Sequence, residues 1–134
     1  MLTTHEMQIR VRYNETDAMG FLHHGNYAAY FEMGRTELFR AGGGNYREME
    51  ERGNFLVIVE LTCRYRKPIR YDDVVTLTTT LAEVSPAKMK HTYELRVNGQ
   101  VHSSASSVLA CINREGKVQM YSNAIIPGIE TLMK

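Results

Sequence analysis

The chain of 134 residues is poor in residues that form disulfides or bind metals, with two cysteines and five histidines, and it contains no tryptophan. Cys63 and Cys111 both lie in patterns that predict strands and could pair only if the fold brought them together, so we expect two buried thiols. Apart from the adjacent His23 and His24 the histidines are scattered, and no Cys-x-x-Cys or His-x-x-x-His spacing occurs. We therefore expect no metal site.

Neither sign of charge is in excess, since 16 basic and 15 acidic residues leave a net charge of +1. This balance offers no electrostatic footprint for nucleic acid. No apolar run approaches the roughly 20 residues that a membrane span needs. Residues 1–6 also lack the basic and apolar regions of a signal peptide. We therefore expect a cytoplasmic protein with no nucleic-acid partner and no membrane span.

The hydrophobic periodicity predicts one strand, one long helix and then a series of strands. Alternation with period 2 predicts strands, and apolar residues at helical spacing, ended by three glycines, predict a helix. The predicted strands are Met7–Tyr13, Phe55–Tyr65, Val74–Val84, Met89–Val97 and Gln100–Asn113, with a short strand after Lys117, and the predicted helix is Tyr27–Ala41. Residues 45–52 favour a short second helix or an ordered loop, and Asn98-Gly99 predicts a two-residue hairpin turn.

These elements predict an α+β fold in which an antiparallel sheet of about five strands wraps around one long central helix. With 43% hydrophobic residues, the chain is long enough for a single domain, spanning residues 1–134, with its own core. One helix cannot cover both faces of such a sheet, so we expect at least a dimer. The small residues from Ser103 to Ser107 should let the helix approach the sheet closely.

The segment between Tyr13 and the helix contains residues suited to chemistry. Asp17 precedes the helix, where a carboxylate can activate a water molecule while free N–H groups of the first helical turn hold the oxygen of a carbonyl under attack. This combination suggests acyl hydrolysis, although from the spacing alone Asp17 is an equally good helix cap. A serine or cysteine acyl-enzyme is not expected, because no Gly-x-Ser-x-Gly motif occurs and both cysteines lie in predicted strands.

Three motifs follow one another here: Tyr13-Asn-Glu-Thr-Asp17-Ala-Met-Gly20, then His24 with Asn26-Tyr27, then Glu32-Met-Gly-Arg35-Thr-Glu37. They resemble the hotdog-fold acyl-CoA thioesterases, in particular the YbgC-like branch related to 4-hydroxybenzoyl-CoA thioesterase. Residues 65–74 also resemble the central strand pair of that family, so the similarity covers nearly the whole chain. The resemblance implies a hotdog fold and hydrolysis of an acyl-CoA or acyl-carrier-protein thioester. It also implies that the enzyme needs no cofactor, since coenzyme A is part of the substrate. Finally, it implies that the protein is a homodimer or homotetramer.

The resemblance implies roles for three residues. In this family the aspartate matched by Asp17 activates water or attacks the thioester directly. The amide that polarises the thioester carbonyl lies at the first turn of the helix, here about His24 or Gly25. The imidazole of His24 would lie beside the thioester and donate to the carbonyl or protonate the leaving thiolate, with a structural hydrogen bond as the alternative. His23 stands where relatives often carry tyrosine.

Three further residues of this segment are candidate substrate contacts. Gly20 should let the loop turn sharply, because glycine reaches backbone angles that other residues avoid. Tyr13 and Tyr27 both lie on predicted apolar faces, where core packing with a hydrogen-bonded hydroxyl is favoured over a substrate contact.

Candidate binding residues also lie outside this segment. Glu60 interrupts a β-branched run, where a charge is costly unless it is paired or functional. We expect an ion pair, diagonally with Arg64 or with a partner chain, and the alternative is a role beside the partner subunit's Asp17. Ser85 and Lys88 occupy a turn and strand start that relatives use for nucleotide phosphates, so they are our candidates for the coenzyme A phosphates. The alternative for them is a solvated strand face.

Two other functions stay open at this point. A hydratase or dehydratase is possible on the same fold, because a fold alone does not define the chemistry. A non-catalytic acyl-CoA-binding module is the other alternative. The Asp-Ala-x-Gly turn before the helix matches the thioesterases better than the hydratases, and the intact Asp17 argues against a module that only binds.

Overall fold

The computed structural model describes residues 1–133, which form one sheet, one long helix and several short helical segments. The strands are β1 (Thr4–Arg10), β2 (Phe55–Tyr65), β3 (Val74–Val84), β4 (Met89–Val97), β5 (Gln100–Ile112) and β6 (Val118–Gln119). The helices are α1 (Tyr27–Ala41) and α2 (Tyr46–Glu51), with 3-10 turns at Tyr13–Glu15, His24–Asn26 and Ile129–Leu132. The predicted order of strand, long helix and successive strands is confirmed.

The sheet has the strand order β1-β3-β4-β5-β2, and the short β6 pairs with β5. Every pair is antiparallel, and the register aligns Met7 with Leu77, Leu77 with Leu95, and Leu95 with Ser103. Because side chains alternate between the two faces of a strand, this register collects the apolar residues of neighbouring strands on one side of the sheet. The first strand ends at Arg10, three residues before its predicted end, where the chain turns toward the 3-10 segment.

Asn98 and Gly99 form the predicted two-residue turn between β4 and β5. Both residues have positive φ, 51° for Asn98 and 78° for Gly99. A type I′ turn requires positive φ at both central positions, and its twist matches that of the flanking strands. The hairpin prediction is therefore confirmed, and the turn sets the β4–β5 register from its own sequence.

Helix α1 packs against the apolar face of the sheet, with its closest approach over β3. A Cβ atom added to Gly34 would collide with Thr79 Oγ1 and would lie 2.9 Å from Leu77 Cδ2. The small residues of β5, which we expected to serve this purpose, bind other groups: Ser103 Oγ donates to the Arg64 carbonyl, and Ser107 Oγ shares a hydrogen bond with a tyrosine of β4. The absence of a side chain at Gly34 therefore sets the distance between helix and sheet.

Two apolar clusters fill the space between α1 and the sheet. The first lies under the start of the helix and includes Val11, Leu22, Tyr27, Tyr30, Phe31, Ile69, Val75, Leu77, Tyr93, Leu95 and Val97. The second lies under its end and includes Leu38, Met49, Leu81, Val84, Met89, Leu109, Cys111, Tyr121, Ile126 and Ile129. Both cysteines are free thiols, Cys111 buried and Cys63 half-buried. Between residues 1 and 133, no helix is long and apolar enough to cross a membrane.

The contact at Gly34 yields a stability prediction. Gly34→Ala should lower the free energy of unfolding by about 1–3 kcal/mol, because the added methyl group overpacks the interface with β3 despite the better helix propensity of alanine. Chemical denaturation of the purified variant measures this change.

Gly42→Ala, at the C-cap of the same helix, is the matched control. Gly42 has φ of −83°, and a Cβ there would meet its nearest neighbouring atom at an ordinary 3.4 Å. We expect this control to be close to neutral. Equal stability of the two variants would show that the helix approaches β3 less closely than described.

Candidate active site

A tight loop of residues 16–22 presents Asp17. The Asp17 N–H donates to the Phe21 carbonyl at 2.8 Å, which closes the loop, and Thr16 bridges to Leu22. The Leu22 N–H then donates to the Ile69 carbonyl at 2.6 Å, so the loop is attached to the segment that leads into β3. This attachment places the loop at the edge of the sheet near the start of α1.

Gly20 forms the sharp bend of this loop, as predicted. Its φ is +79°, in the region that favours glycine, and its N–H donates to the Asp17 carbonyl at 3.0 Å. Its own carbonyl accepts a hydrogen bond from the Tyr71 N–H at 2.9 Å. A residue with a side chain would strain this turn, so Gly20 shapes the loop whatever it contributes to substrate binding.

The carboxylate of Asp17 is exposed and holds its own loop with one oxygen. Oδ1 accepts hydrogen bonds from the Met19 N–H at 2.9 Å and the Phe21 N–H at 3.1 Å. Oδ2 has no hydrogen-bond partner within residues 1–133. The N-caps of the 3-10 turn and of α1 are His23 and Asn26, so the idea that Asp17 caps the helix is wrong. A carboxylate with one oxygen held and the other open is suited to accept a proton or attack a carbonyl.

Glu15 ties this loop to the helix, a role that our sequence analysis missed. Its buried carboxylate accepts hydrogen bonds from the Arg12 N–H at 2.8 Å, from Arg12 Nη2 at 3.1 Å and from the Tyr30 hydroxyl at 2.8 Å. Its carbonyl accepts from the His23 N–H at 2.9 Å and from Asn26 Nδ2 at 2.8 Å. The Arg12-x-x-Glu15 spacing, which resembles a capping box, was the available signal.

These contacts shift the pKa values of both buried partners. Burial raises the pKa of Glu15, but the hydrogen bonds from Arg12 and Tyr30 outweigh it, so the pKa lies below its ordinary value. The pKa of Tyr30 is raised by burial first and then by its hydrogen bond to Glu15. Glu15 is therefore ionised at neutral pH, and Tyr30 remains a proton donor to it.

The helix start offers one of the two amides that the family resemblance suggested. The Gly25 N–H donates to His23 Nδ1 at 3.0 Å, so the imidazole of the same chain already occupies it. The His24 N–H has no acceptor in the described part of the chain. The rings of His23 and His24 stack with centroids 4.2 Å apart, and both are exposed. A substrate oxygen can therefore meet the His24 N–H directly, but it reaches that of Gly25 only if His23 turns away.

The two candidate tyrosines have opposite surroundings. Tyr27 is buried and packs edge-on against Tyr65, with ring centroids 4.8 Å apart, so its core packing is confirmed. Burial raises the pKa of Tyr27 to about 12. Tyr13 is 78% exposed, so its predicted core packing is wrong. The reason is that β1 ends at Arg10, which removes Tyr13 from the alternation and leaves its ring beside that of Tyr71.

Glu60 lies on the outward face of β2, opposite Val108 and next to an irregularity of register at Val59. No ion pair joins it to Arg64 within residues 1–133, so the diagonal pair that we expected does not form in one chain. Its carboxylate is exposed toward the open edge of the sheet. A partner-chain ion pair or a role beside the partner subunit's Asp17 stays a prediction.

The structure does not bring Ser85 and Lys88 to the Asp17 loop of the same chain. They form the turn after β3, where the Lys88 N–H donates to Ser85 Oγ at 3.1 Å. The Asp17 loop lies at the other end of this 11-residue strand, about 33 Å away at the usual rise per residue. The basic residue at the loop is Arg70, which we had not singled out; its guanidinium lies 4.8 Å from the centroid of the Phe21 ring.

Residues 1–133 contain no group of three or more histidine, cysteine, aspartate or glutamate side chains placed to hold a metal ion. The Asp17 loop and the start of the helix present one carboxylate, exposed imidazoles and backbone amides. That set can move a proton and hold a developing negative charge.

Comparisons with known proteins agree with this fold and loop. Residues 19–102 match the Thioesterase superfamily. The chain is 30% identical over 106 residues to the acyl-CoA thioesterase YbgC of Haemophilus influenzae, which covers 78% of each protein. It superimposes on the structure of DHNA-CoA thioesterase from Staphylococcus aureus with a TM-score of 0.90 and 29% identity, covering 96% of this chain and 87% of that one. Acyl-acyl carrier protein thioesterase ATL3 of Arabidopsis thaliana is 32% identical over 85 residues, which are 63% of this chain and 45% of that protein.

The fold and the loop define a hotdog-fold thioester hydrolase. The chain belongs to the Thioesterase superfamily. Both the resemblance noted in the sequence and the predicted hotdog fold are confirmed.

The contacts of Glu15 yield a prediction for the site. Glu15→Gln should lower the free energy of unfolding by about 1–3 kcal/mol at pH 7. The reason is that an amide cannot accept hydrogen bonds from the Arg12 N–H, the Arg12 guanidinium and the Tyr30 hydroxyl together. Turnover should fall as well, since the loop that carries Asp17 loses the carboxylate contacts that join it to Arg12 and Tyr30. Thermal unfolding and steady-state kinetics measure the two effects.

The pH dependence separates Glu15 from an ordinary surface carboxylate. Because the pKa of Glu15 is lower in the folded state than its ordinary value of 4.5, the ionised group stabilises the fold above that value. This stabilisation is lost as the pH falls through the folded-state pKa, so wild type and Glu15→Gln should converge in acid. Glu83→Gln, at an exposed position of β3, is the control. A constant difference between wild type and Glu15→Gln at every pH would contradict the assigned role.

Proposed function

We propose that this protein is an acyl-CoA thioesterase, which hydrolyses a thioester to a carboxylic acid and free coenzyme A. The observation that supports this most directly is the exposed carboxylate of Asp17, with Oδ2 open, in the loop that leads to the unoccupied His24 N–H. The names of the relatives support the substrate class. The similarity to an acyl carrier protein thioesterase keeps that thiol carrier as a second candidate substrate.

In the proposed reaction Asp17 acts on water at the thioester. Oδ2 accepts a proton from a water molecule as the water oxygen attacks the carbonyl carbon, and the carbonyl electrons move onto its oxygen. The hydrogen bonds from Met19 and Phe21 hold Oδ1, so the carboxylate keeps its orientation while Oδ2 reacts. Direct attack by Asp17, followed by hydrolysis of the resulting anhydride, is the alternative course with the same products.

The start of the helix stabilises the intermediate in this proposal. The His24 N–H donates to the developing oxyanion, assisted by the partial positive charge at the helix N-terminus. As the tetrahedral intermediate collapses, the carbon–sulfur bond breaks and the thiolate takes a proton, for which the exposed His24 imidazole in its protonated form is a candidate donor. The proton that Asp17 took from water then returns through solvent to His24, which restores both groups. His23 controls whether Gly25 adds a second donor, because its Nδ1 holds that N–H.

The phosphates of coenzyme A need basic groups where the pantetheine arm emerges from the site. Arg70 is the candidate within one chain, and its guanidinium lies over Phe21 at the loop. Ser85 and Lys88 can contribute only from a neighbouring subunit, because within one chain they lie at the far end of β3. The proposal therefore keeps Ser85 and Lys88 as contacts between subunits.

Asp17→Asn should reduce thiol release by about 10²- to 10⁴-fold without unfolding the protein, because the amide cannot take the proton. The rate of thiol release is measured for wild type and variant with short, long and aromatic acyl-CoAs and with an acyl carrier protein thioester. The substrate that is hydrolysed fastest defines the substrate class. Asp72→Asn is the matched control, since Asp72 is an exposed aspartate with φ of 69°, which asparagine also tolerates.

The same assay separates the other functions. A 3-hydroxyacyl product formed without thiol would assign a hydratase instead. Saturable acyl-CoA binding without turnover of any substrate would assign a binding module. Unchanged turnover in Asp17→Asn would remove Asp17 from the mechanism and leave the family activity to another group.

We propose further that two chains associate through β2. This edge strand has no neighbour on its open side within residues 1–133, and it exposes the apolar side chains Ile58, Val59, Leu61 and Tyr65. An uncovered edge with an apolar surface is the kind of strand that proteins cover or pair. Pairing there would also add a second subunit beside Tyr65, which packs on Tyr27 at the start of the helix.

Val59→Lys should convert the dimer to a monomer, because it places a charge at the bulge of this edge. Light scattering coupled to size exclusion measures the mass. Val118→Lys, on the exposed face of β6, is the control and should leave the dimer intact. A monomeric wild type, or a dimer that survives Val59→Lys, would contradict association through β2.

A further inference from the structure

A cavity lies under the C-terminal half of α1, away from the Asp17 loop. Its volume is about 90 Å³, and it is lined largely by apolar side chains, among them Leu38, Phe39, Leu56, Leu81, Met89 and Ile126. Three polar side chains, Arg35, Tyr46 and His91, also line it, and the Tyr46 hydroxyl lies near the guanidinium of Arg35. Arg35 lies two helical turns beyond the start of α1, about 12 Å along its axis. A cavity needs about 10–15 Å³ of such volume to hold one water molecule, so this one has room for several non-hydrogen atoms.

Arg35 brings an unneutralised positive charge to this cavity. Its residue is only 6% exposed, and Nη1 donates to the Tyr93 hydroxyl at 3.1 Å. None of the ion pairs found among residues 1–133 includes it. Glu32 and Glu50 line a neighbouring cleft together with Arg35, but neither lies within ion-pair distance of its guanidinium. A buried guanidinium whose protein partner is a hydroxyl is costly, and an anion would relieve that cost.

His91 adds a neutral hydrogen-bonding group. It is buried, and its Nδ1 has no hydrogen-bond partner in the described part of the chain. Burial and then the positive charge of Arg35 lower the pKa of His91 to about 3, so the ring is neutral at neutral pH. A neutral imidazole carries one N–H donor, and a buried donor of this kind calls for an acceptor.

We propose that this cavity is a binding site for a short-chain carboxylate, separate from the active site. The carboxylate would accept hydrogen bonds from Arg35 and His91, and the alkyl chain would lie against Leu81 and Met89. A guanidinium binds a carboxylate in a planar two-point contact, the remaining lining is apolar, and the volume admits about four to six non-hydrogen atoms. The proposal does not depend on the proposed function, although thioester hydrolysis releases acids of this class.

Methionine methyl groups report on the two sites separately. Met89 lines the cavity, whereas Met19 lies in the Asp17 loop. In a protein labelled with ¹³C at the methionine methyls, sodium butyrate should shift the Met89 signal saturably, with a dissociation constant on the order of 1 mM, and leave Met19 in place. Butyramide has nearly the same shape without the charge and should bind at least about tenfold more weakly. Asp17→Asn should bind butyrate as the wild type does.

Variants test the contacts one at a time. Arg35→Met should weaken butyrate binding at least about tenfold, whereas Arg35→Lys, which keeps the charge, should recover part of the affinity. Leu81→Phe should abolish binding by filling the cavity while it leaves the charge in place, and it keeps the test open if Arg35→Met does not fold. Equal affinity for butyrate and butyramide, unchanged binding in Leu81→Phe, or a shift confined to Met19 and lost in Asp17→Asn would each overturn the proposal.

Discussion

The buried carboxylate of Glu15 is the group on which the geometry of the Asp17 loop depends. Its side chain joins the loop to Arg12 and to Tyr30 of the helix, and its carbonyl joins it to His23. Asp17 is two residues further along the chain, so these contacts determine where its carboxylate lies relative to the helix start. Asp17 itself can then remain exposed, because the stability of the loop comes from a neighbouring residue.

A second constraint comes from the single long helix over the sheet. Gly34 lets the backbone approach β3, and the polar side chain of the next residue, Arg35, separates the two apolar clusters. Its contact with Tyr93, and that of Tyr93 with Ser107, satisfies hydroxyl groups that would otherwise be buried without partners. Among residues 1–133 no carboxylate forms an ion pair with Arg35, so the cavity beside its guanidinium is suited to an anion.

Local patterns were sufficient for most of the fold. The bounds of β2, β3, β4 and α1 agree with the prediction, because a β-branched run in β2, alternation in β3 and β4 and helical spacing in α1 are patterns that one chain shows locally. The hairpin at Asn98-Gly99 was equally predictable, since positive φ at both positions is a property of these residue types. Tyr13 was placed wrongly, because a contact between Arg12 and Glu15 ends the strand pattern early.

The sequence by itself therefore determined the order of elements, the α+β class, the family and the candidate Asp17, since each depends on residue types at short spacing. Only the tertiary structure decided what those residues contact. It showed that Asp17 caps its own loop, that His23 occupies the Gly25 N–H, and that Ser85 and Lys88 lie at the opposite end of β3. It also buried Arg35 without a carboxylate partner. The positions of Ser85, Lys88 and Arg35 depend on which strands become neighbours and on the direction in which each runs, and residue spacing does not encode this locally. The contacts of Asp17 and His23 span only two to four residues, but the residue types alone do not specify the backbone conformation in which these contacts form.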